Sequence, residues 1–226
     1  MENNTVFAKM PIISAVNEEV IGYEILLRKF NSISLDTFNH SPQLYTEFSF
    51  EILCEIFRLD ANGLIRKTGQ LLFINFTVQQ FLSSGTLNFL VQQSDQKSLF
   101  NNIVIEITEQ DLHHDSAQLA ERMLLFTRFN CQFAIDDFGA ESSNFKRVFD
   151  FKPQYIKLDG KMVKSFTEQS CDISPLSQLV KMCHKLNTKI IAEGVESSEI
   201  AIMLKNINVD YLQGYYCGKP QLISLD

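Results

Sequence analysis

Five strand-like segments of this chain end on polar or charged residues, and this pattern restricts the fold more than any other sequence feature. The residues at these ends are Asn75, Glu106, Asp136–Asp137, Lys157 and Glu193. An unpaired charge is costly inside a protein core, so a strand that only crosses a core should not end in this way. The pattern predicts that the strands converge on a common edge where charge is needed.

Strand-like and helix-like segments alternate from residue 71 onward. The strand-like segments are LLFINF, IVIEIT, QFAIDD, YIKLD, TKIIAEG and a short last one, DYLQGYY. Helices are predicted from Thr77, from about Ser116, over about 142–150, irregularly from Gly160 to Lys185, and from Ser197. Such alternation is typical of a parallel sheet, and units of about 30 residues fit a (β/α)8 barrel. An open doubly wound sheet is the alternative, but it does not explain polar residues at nearly every strand end.

The chain before residue 71 predicts a β-hairpin and a helix. Strands at 6–16 and 20–28 are joined by a turn at 17–19, and an apolar stripe predicts a helix over 42–59. One strand of the hairpin must run against the others. The predicted fold is therefore α/β, a TIM-like (β/α)8 barrel with one antiparallel strand near the N-terminus. Because no stretch resembles a linker, we expect a single domain over 1–226.

The composition argues against several classes of protein. A net charge of −7 disfavours a general nucleic-acid surface, so we expect no DNA binding. No stretch approaches the roughly 20 apolar residues of a membrane helix, and the first residues lack the layout of a signal peptide. We therefore expect a cytoplasmic protein without membrane association. The widely spaced cysteines predict reduced packing residues; they are Cys54, Cys131, Cys171, Cys183 and Cys217.

The candidate site residues supply oxygen donors and one amine. The oxygen donors are Glu24, Asn75, Glu106, Asp136, Asp137 and Glu193. Oxygen ligands without histidine favour Mg²⁺ or Mn²⁺, and mutual repulsion among the carboxylates predicts two ions. Lys157 would hold an attacking water or neutralise developing charge. The alternatives are a surface lysine and, for each carboxylate taken singly, a solvated loop acid. Two metals flanking an oriented water suit hydrolysis of a phosphodiester.

Seven short motifs, in order along nearly the whole chain, resemble those of the EAL family, the bacterial phosphodiesterases that linearise cyclic di-GMP. They are ExLxR at 24–28, an Asn motif at 74–77, E(I/L)TE at 106–109, DDFG at 136–139, KID as Lys-Leu-Asp at 157–159, EGVE at 193–196 and QGxxxxxP at 213–220. Any single motif is weak, whereas the set is specific. The resemblance implies a stand-alone EAL protein that hydrolyses cyclic di-GMP to linear pGpG.

The same resemblance implies roles for the candidate residues. The residues implied to bind metal are Glu24, Asn75, Glu106 and Asp136 for the first ion and Asp137 for the second. The residues implied to act in catalysis are Glu24, Lys157 and Glu193, the last two by binding or orienting water. Substrate contacts would come from Leu26, Arg28 and Gln213, with the Arg28 guanidinium on a phosphate. Glu109 would anchor the loop after DDFG, and a homodimer is also implied.

The chain departs from the family pattern in the loop Ala140–Phe145, where a Thr-Gly-Tyr-Ser-Ser-like run is usual. The lost glycine removes a position that tolerates positive φ, and Glu141 adds a negative charge near the site. This change supports two alternatives to catalysis. One is a catalytically weak or silent regulator that binds a protein partner, and the other is a receptor that binds cyclic di-GMP without cutting it. The complete set of site residues favours the enzyme.

Overall fold

The protein is built on one sheet that closes into a barrel. The computed structural model describes residues 5–31, 33–41, 43–93, 95, 100–108, 116–140, 148, 150–167 and 172–223. Its strands are β1 (Val6–Ser14), β2 (Val20–Phe30), β3 (Ile33–Ser34), β4 (Leu71–Phe76), β5 (Ile103–Thr108), β6 (Gln132–Phe138), β7 (Tyr155–Leu158), β8 (Lys189–Ala192), β9 (Tyr211–Leu212) and β10 (Gln221–Leu222).

Eight of these strands form the closed ring, in the order β1, β2, β4, β5, β6, β7, β8, β9 and back to β1. Neighbours from β2 round to β9 are parallel, while β1 is antiparallel to both β2 and β9. Strands β3 and β10 extend the sheet by pairing with β2 and β1. The predicted TIM-like barrel with one antiparallel strand near the N-terminus is confirmed, and the open sheet is excluded.

Helices surround this ring and mostly follow the strands. They are α1 (Leu35–His40), α2 (Gln43–Glu47), α3 (Ser49–Ala61), α4 (Val78–Leu82), α5 (Ser84–Gln92), α6 (Ser116–Thr127), α7 (Gly160–Thr167), α8 (Ser174–Lys185) and α9 (Ser198–Asn206). The Thr77 hydroxyl accepts a hydrogen bond from the Gln80 N–H, and the Ser197 hydroxyl accepts one from the Ile200 N–H. These N-caps place the starts of α4 and α9 where the sequence predicts them.

Two predicted helices are each divided. The helix predicted over 42–59 is broken at Phe48, whose φ of −101° and ψ of 15° are not helical. The helix predicted from Gly160 to Lys185 is replaced by α7 and α8, and the Asp172 carboxylate accepts the Ser174 N–H where α8 begins. Apolar periodicity continues across such breaks and so cannot detect them. Most of the helix predicted over 142–150 lies outside the described residues.

Opposite faces of the strands fill the barrel interior and the space beneath the helices. The interior cluster consists of Ile12, Phe73, Val104, Ala134, Tyr155 and Ile191. Neighbours along β4, such as Leu72 and Ile74, belong instead to the larger core beneath the helices. Successive side chains of a strand point to opposite faces, so strands buried on both sides are almost continuously apolar. A strand residue that stands two positions after a member of the interior cluster therefore also points into the barrel.

The remaining sequence expectations about cysteines and membranes can be compared with the described residues. Cys54, Cys131, Cys183 and Cys217 are free thiols, while Cys171 lies outside the described part of the chain. Among the helices that the structure describes, none combines the length and apolar character needed to cross a membrane.

Candidate active site

The candidate site is the layer of side chains above the interior cluster. Asn75, Glu106, Asp136, Lys157 and Glu193 each stand two positions after an interior residue, which is respectively Phe73, Val104, Ala134, Tyr155 and Ile191. Residues two apart on a strand point to the same face. These five side chains therefore lie at the carboxyl end of the barrel, where sites of this fold are found.

Lys157 occupies the centre of this layer. Its side chain is 1% exposed, and its Nζ lies 2.8 Å from Glu193 Oε1, 3.0 Å from Glu106 Oε1, 3.1 Å from Asp136 Oδ1 and 3.4 Å from Glu24 Oε2. Because a buried ammonium requires compensating charge, these carboxylates explain how a lysine can lie inside the barrel. The surface-lysine alternative is excluded.

Two amides hold Glu24 from opposite sides. Asn75 Nδ2 donates to Glu24 Oε1 at 2.7 Å, and Gln213 Nε2 donates to Glu24 Oε2 at 2.6 Å. Asn75 belongs to β4, and Gln213 directly follows β9. The Glu24 carboxylate on β2 is thus fixed by groups from both directions around the ring, and it also lies next to Lys157.

A local change of backbone conformation brings Asp137 to the same mouth as Asp136. Adjacent residues of a regular strand point to opposite faces, but Asp137 has a φ of 53°. The register of β6 against β7 also shifts between Ile135 and Phe138. As a result, carboxylate oxygens of Asp136, Asp137 and Glu193 all lie within 4.8 Å of one another. Both aspartates reach the mouth, as the sequence predicts.

Burial and crowding shift the protonation of this cluster. Burial raises the pKa of Glu106 well above its ordinary value, and repulsion from Glu24 and Asp136 adds to this rise while Lys157 opposes it. Burial likewise raises the pKa of Glu193 to about 8 against the pull of Lys157. Burial alone would lower the pKa of Lys157, but the surrounding carboxylates outweigh it and the net shift is well upward. One lysine therefore does not neutralise the cluster.

Several buried oxygens of the site have no hydrogen-bond partner within the described part of the chain. They include Glu106 Oε2 and Gln213 Oε1, on residues that are only 1% and 2% exposed. Buried oxygens without partners beside an excess of carboxylates are the donor set that Mg²⁺ or Mn²⁺ binds. The residues present therefore fit the metal ions predicted from the sequence, and carboxylate oxygens of Asp136, Asp137 and Glu193 lie close enough together to hold one.

The predicted substrate residues surround this layer. Arg28 and Leu26 lie farther along β2 and line one cavity together with Asn75. Leu26 also lines a second cleft, with Glu24, Glu193 and Gln213. The predicted loop anchor, Glu109, lies outside the described residues, as do residues 141–145 of the altered loop.

The second cleft contains residues to which the sequence assigned no role. They are Met10, Gly194, Glu196, Gly214 and Tyr215. Glu196 and the two glycines stand in quoted motifs, so a signal was present, whereas Met10 and Tyr215 lie in apolar or aromatic runs. Gly194 has a φ of 64°, and a Cβ there would lie 2.9 Å from Gly160 Cα. Glycine at this position lets the backbone that carries Glu193 approach the start of α7.

Curated proteins of similar sequence carry the name cyclic di-GMP phosphodiesterase. RocR of Pseudomonas aeruginosa is 28% identical over 210 residues, which cover 89% of this chain and 53% of RocR. PdeF of Escherichia coli is 28% identical over 119 residues, which cover 53% of this chain and 16% of PdeF. The chain thus spans about half or less of the length of these relatives.

Solved structures share the fold. A Klebsiella pneumoniae BlrP1 manganese and cyclic di-GMP complex matches with a TM-score of 0.85 and 23% identity, over 99% of this chain and 57% of that one. A standalone versatile EAL protein from Vibrio cholerae O395, in its cyclic di-GMP bound form, matches with a TM-score of 0.77 and 23% identity, over 100% and 96%. The family model of the EAL domain matches residues 2–220. The chain therefore belongs to the EAL domain family.

Proposed function

We propose that this protein is a metal-dependent phosphodiesterase that hydrolyses cyclic di-GMP to linear pGpG. The observation that carries the proposal is the buried cluster in which Lys157 Nζ lies 2.8 Å from Glu193 and 3.0 Å from Glu106. Glu106 Oε2 has no hydrogen-bond partner in the described residues. The names of RocR and PdeF, and the nucleotide bound to BlrP1, support the same substrate for this chain.

The proposed reaction opens the ring of the dinucleotide with one water. The water oxygen forms a bond with phosphorus and one P–O ester bond breaks, which leaves a phosphomonoester and, after proton uptake, a free hydroxyl. Bound Mg²⁺ or Mn²⁺ would supply Lewis-acid stabilisation of the charge that develops on the phosphate. The residues proposed to hold these ions are Glu24, Asn75, Glu106, Asp136 and Asp137.

The other residues are proposed to orient water and substrate. Glu193 is only partly buried, with a side chain that is 20% exposed, so its carboxylate can accept a hydrogen bond from the attacking water. Lys157 holds Glu193 in place and offsets negative charge around that water. Gln213 Oε1, which has no hydrogen-bond partner among the described residues, is proposed to accept a hydrogen bond from the substrate or from water. Arg28 is proposed to bind a phosphate through its planar guanidinium.

The wider biological setting is proposed from the family. We propose that the chain acts as one EAL domain over 1–226, as a homodimer in the cytoplasm, with no DNA or membrane binding. A regulatory protein partner is a further prediction of the family resemblance. Light scattering of the purified protein tests the homodimer directly, since a monomer at micromolar concentration would contradict it.

The decisive experiment is incubation of the purified protein with cyclic di-GMP and Mg²⁺, Mn²⁺ or EDTA, with products separated by chromatography. We expect pGpG with either metal and none with EDTA. Glu193→Gln should fold and bind the nucleotide but release little product. If the folded wild-type protein binds cyclic di-GMP and yields no pGpG, it is a receptor. If it neither binds nor cuts the nucleotide, a partner-binding role replaces the proposal.

A further inference from the structure

The turn that carries Asp137 adopts a backbone conformation that other contacts must hold in place. Asp137 has a φ of 53° and Gly139 a φ of 96°. The left-handed region is unfavourable for a residue with a side chain, and such a conformation persists only where the surrounding structure determines it. Within the turn, the Ala140 N–H donates to the Asp137 carbonyl at 3.1 Å. This single hydrogen bond does not fix the direction of the Asp137 carboxylate, so a further support is required.

The first turn of α7 supplies this support. The Phe138 carbonyl oxygen accepts the Asp159 N–H at 3.0 Å, which joins the start of the helix to the turn. The half-buried side chain of Met162 lies against Gly139, since a Cβ placed on Gly139 would collide with Met162 Sδ and would lie 3.3 Å from Met162 Cγ. The glycine therefore leaves a space beside the turn that the thioether fills.

The start of α7 is itself held from two directions. The Asp159 carboxylate accepts the Met162 N–H at 3.1 Å. On the other side Gly160 lies against Gly194, so that a Cβ placed on Gly160 would be only 3.3 Å from Gly194 Cα. Gly194 directly follows Glu193 in the chain. The first turn of α7 is thus fixed between the backbone that carries Glu193 and the turn that carries the paired aspartates.

We propose that Met162 is a positioning residue that holds the Asp137 carboxylate within reach of a divalent cation shared with Asp136. The inference rests on the metal dependence in the proposed function. Together with Glu193, these acids have carboxylate oxygens within 4.8 Å of one another. Oxygens that share one Mg²⁺ ion lie about 3 Å apart, because each is about 2.1 Å from the ion, and such ligands must be held to within about 0.5 Å. Met162 does not touch the ion and acts only through the turn at Gly139.

Met162→Ala tests the proposal, because it removes the side chain beside Gly139 and introduces a residue that favours a helix. The dissociation constant for Mn²⁺, measured by titration calorimetry without nucleotide, should rise about 10-fold or more, the effect of changing residues that orient a metal ligand. In the hydrolysis assay, the activity that is lost at low Mn²⁺ should return at saturating Mn²⁺. Met162→Leu fills a similar volume and should keep the wild-type dissociation constant.

The matched control is Val163→Ala, at the next residue of α7, which is buried in the core beneath the helices. The cavity should lower the melting temperature in EDTA by about 4–8 °C and leave the dissociation constant for Mn²⁺ unchanged. Equal weakening of Mn²⁺ binding by Val163→Ala and Met162→Ala would overturn the proposal, because the effect would then be a general loss of packing. Wild-type Mn²⁺ affinity in folded Met162→Ala protein overturns it too.

Calorimetry also separates this inference from the proposed function, since Mn²⁺ binding is measured without substrate. A wild-type protein that binds Mn²⁺ but yields no pGpG contradicts the hydrolase, while the comparison of Met162→Ala with Val163→Ala still decides the role of Met162. A wild-type protein that binds no Mn²⁺ overturns the metal dependence and this inference together.

Discussion

The two ends of the barrel differ in whether their polar groups have hydrogen-bond partners within the chain. At the amino end, Arg66 donates to both Asp60 carboxylate oxygens and to the carbonyls of Gln70 and Asn102, just before β4 and β5. At the same end, Asp210 Oδ2 accepts a hydrogen bond from the Ile190 N–H. The same oxygen lies 2.7 Å from His184 Nε2. These polar groups find their partners within the chain.

The carboxyl end keeps polar groups that the chain itself does not satisfy. Glu106 Oε2 and Gln213 Oε1 are buried without hydrogen bonds among the described residues, and the carboxylates around Lys157 outnumber it. The same strands carry both ends, separated by one apolar layer. The difference indicates that the amino end stabilises the barrel, whereas the carboxyl end gives up stability for ligand binding, a common trade-off. This contrast can be tested with paired substitutions at the two ends.

The largest expected effect is that of Lys157→Met on hydrolysis. Removing the ammonium at the centre of the carboxylates should lower kcat by about 10²- to 10⁴-fold, the range expected for loss of a group that orients water and charge. The matched control is Lys189→Met, at the amino end of β8, where the side chain is exposed and donates to the Tyr211 hydroxyl. The control should keep near wild-type kcat. Substantial pGpG production by a folded Lys157→Met protein would contradict the assigned mechanism.

At the amino end, Arg66→Ala should instead affect stability. The side chains of Arg66 and Asp60 are only 10% and 15% exposed. Loss of the arginine leaves a largely buried carboxylate and backbone carbonyls unpaired, which should cost about 3–5 kcal/mol in the free energy of unfolding. Below its melting temperature the variant should retain kcat/KM. Arg128→Ala is the control, because Arg128, directly after α6, is exposed and its loss should change the free energy of unfolding by about 0.5 kcal/mol or less. Equal losses from both substitutions would disprove the assignment, as measured by urea unfolding.

Divalent metal should stabilise the carboxyl end by mass action. At a concentration of 100 times the dissociation constant, Mn²⁺ should add about 2.7 kcal/mol, which raises the melting temperature by about 5–10 °C for a chain of this length. Glu106→Gln should raise the melting temperature in EDTA, because repulsion is relieved, and should reduce the shift caused by Mn²⁺. If scanning calorimetry gives the same Mn²⁺ shift for both proteins, Glu106 does not bind the ion.

The fold and most of the site follow from periodicity in the sequence. Asn75, Glu106, Asp136, Lys157 and Glu193 each stand two positions after an interior residue, as Glu106 does after Val104, so a period of two places them on the interior face. The regular alternation of strands and helices then predicts closure into a barrel. Both signals are local, and this is why they can be detected without knowledge of the tertiary structure.

Features that depend on tertiary packing could not be predicted in the same way. The sequence places Asp136 and Asp137 at a strand end, where the backbone can turn both toward the mouth, but the positive φ of Asp137 that does so is seen only in the folded chain. The break at Phe48 interrupts a helix whose apolar stripe continues.

Per pH unit, the smallest expected change in stability is a pH dependence that arises from the carboxylates at the carboxyl end. The pKa of Glu193 rises from 4.5 to about 8 on folding, chiefly through burial, while Lys157 opposes the rise and Asp136 and Glu24 add to it. Between these values the folded protein binds a proton that the unfolded chain does not, so stability falls as pH rises from about 5 to 8 and levels off above that. In EDTA we expect a loss of up to about 1 kcal/mol per pH unit in this window.

Glu193→Gln should flatten the slope, and Mn²⁺ should reduce it because the ion favours the ionised carboxylates. A metal-free protein that becomes more stable from pH 6 to pH 8 in thermal unfolding would show that repulsion among these carboxylates does not dominate the pH dependence of stability. The contrast between the two ends would then fail.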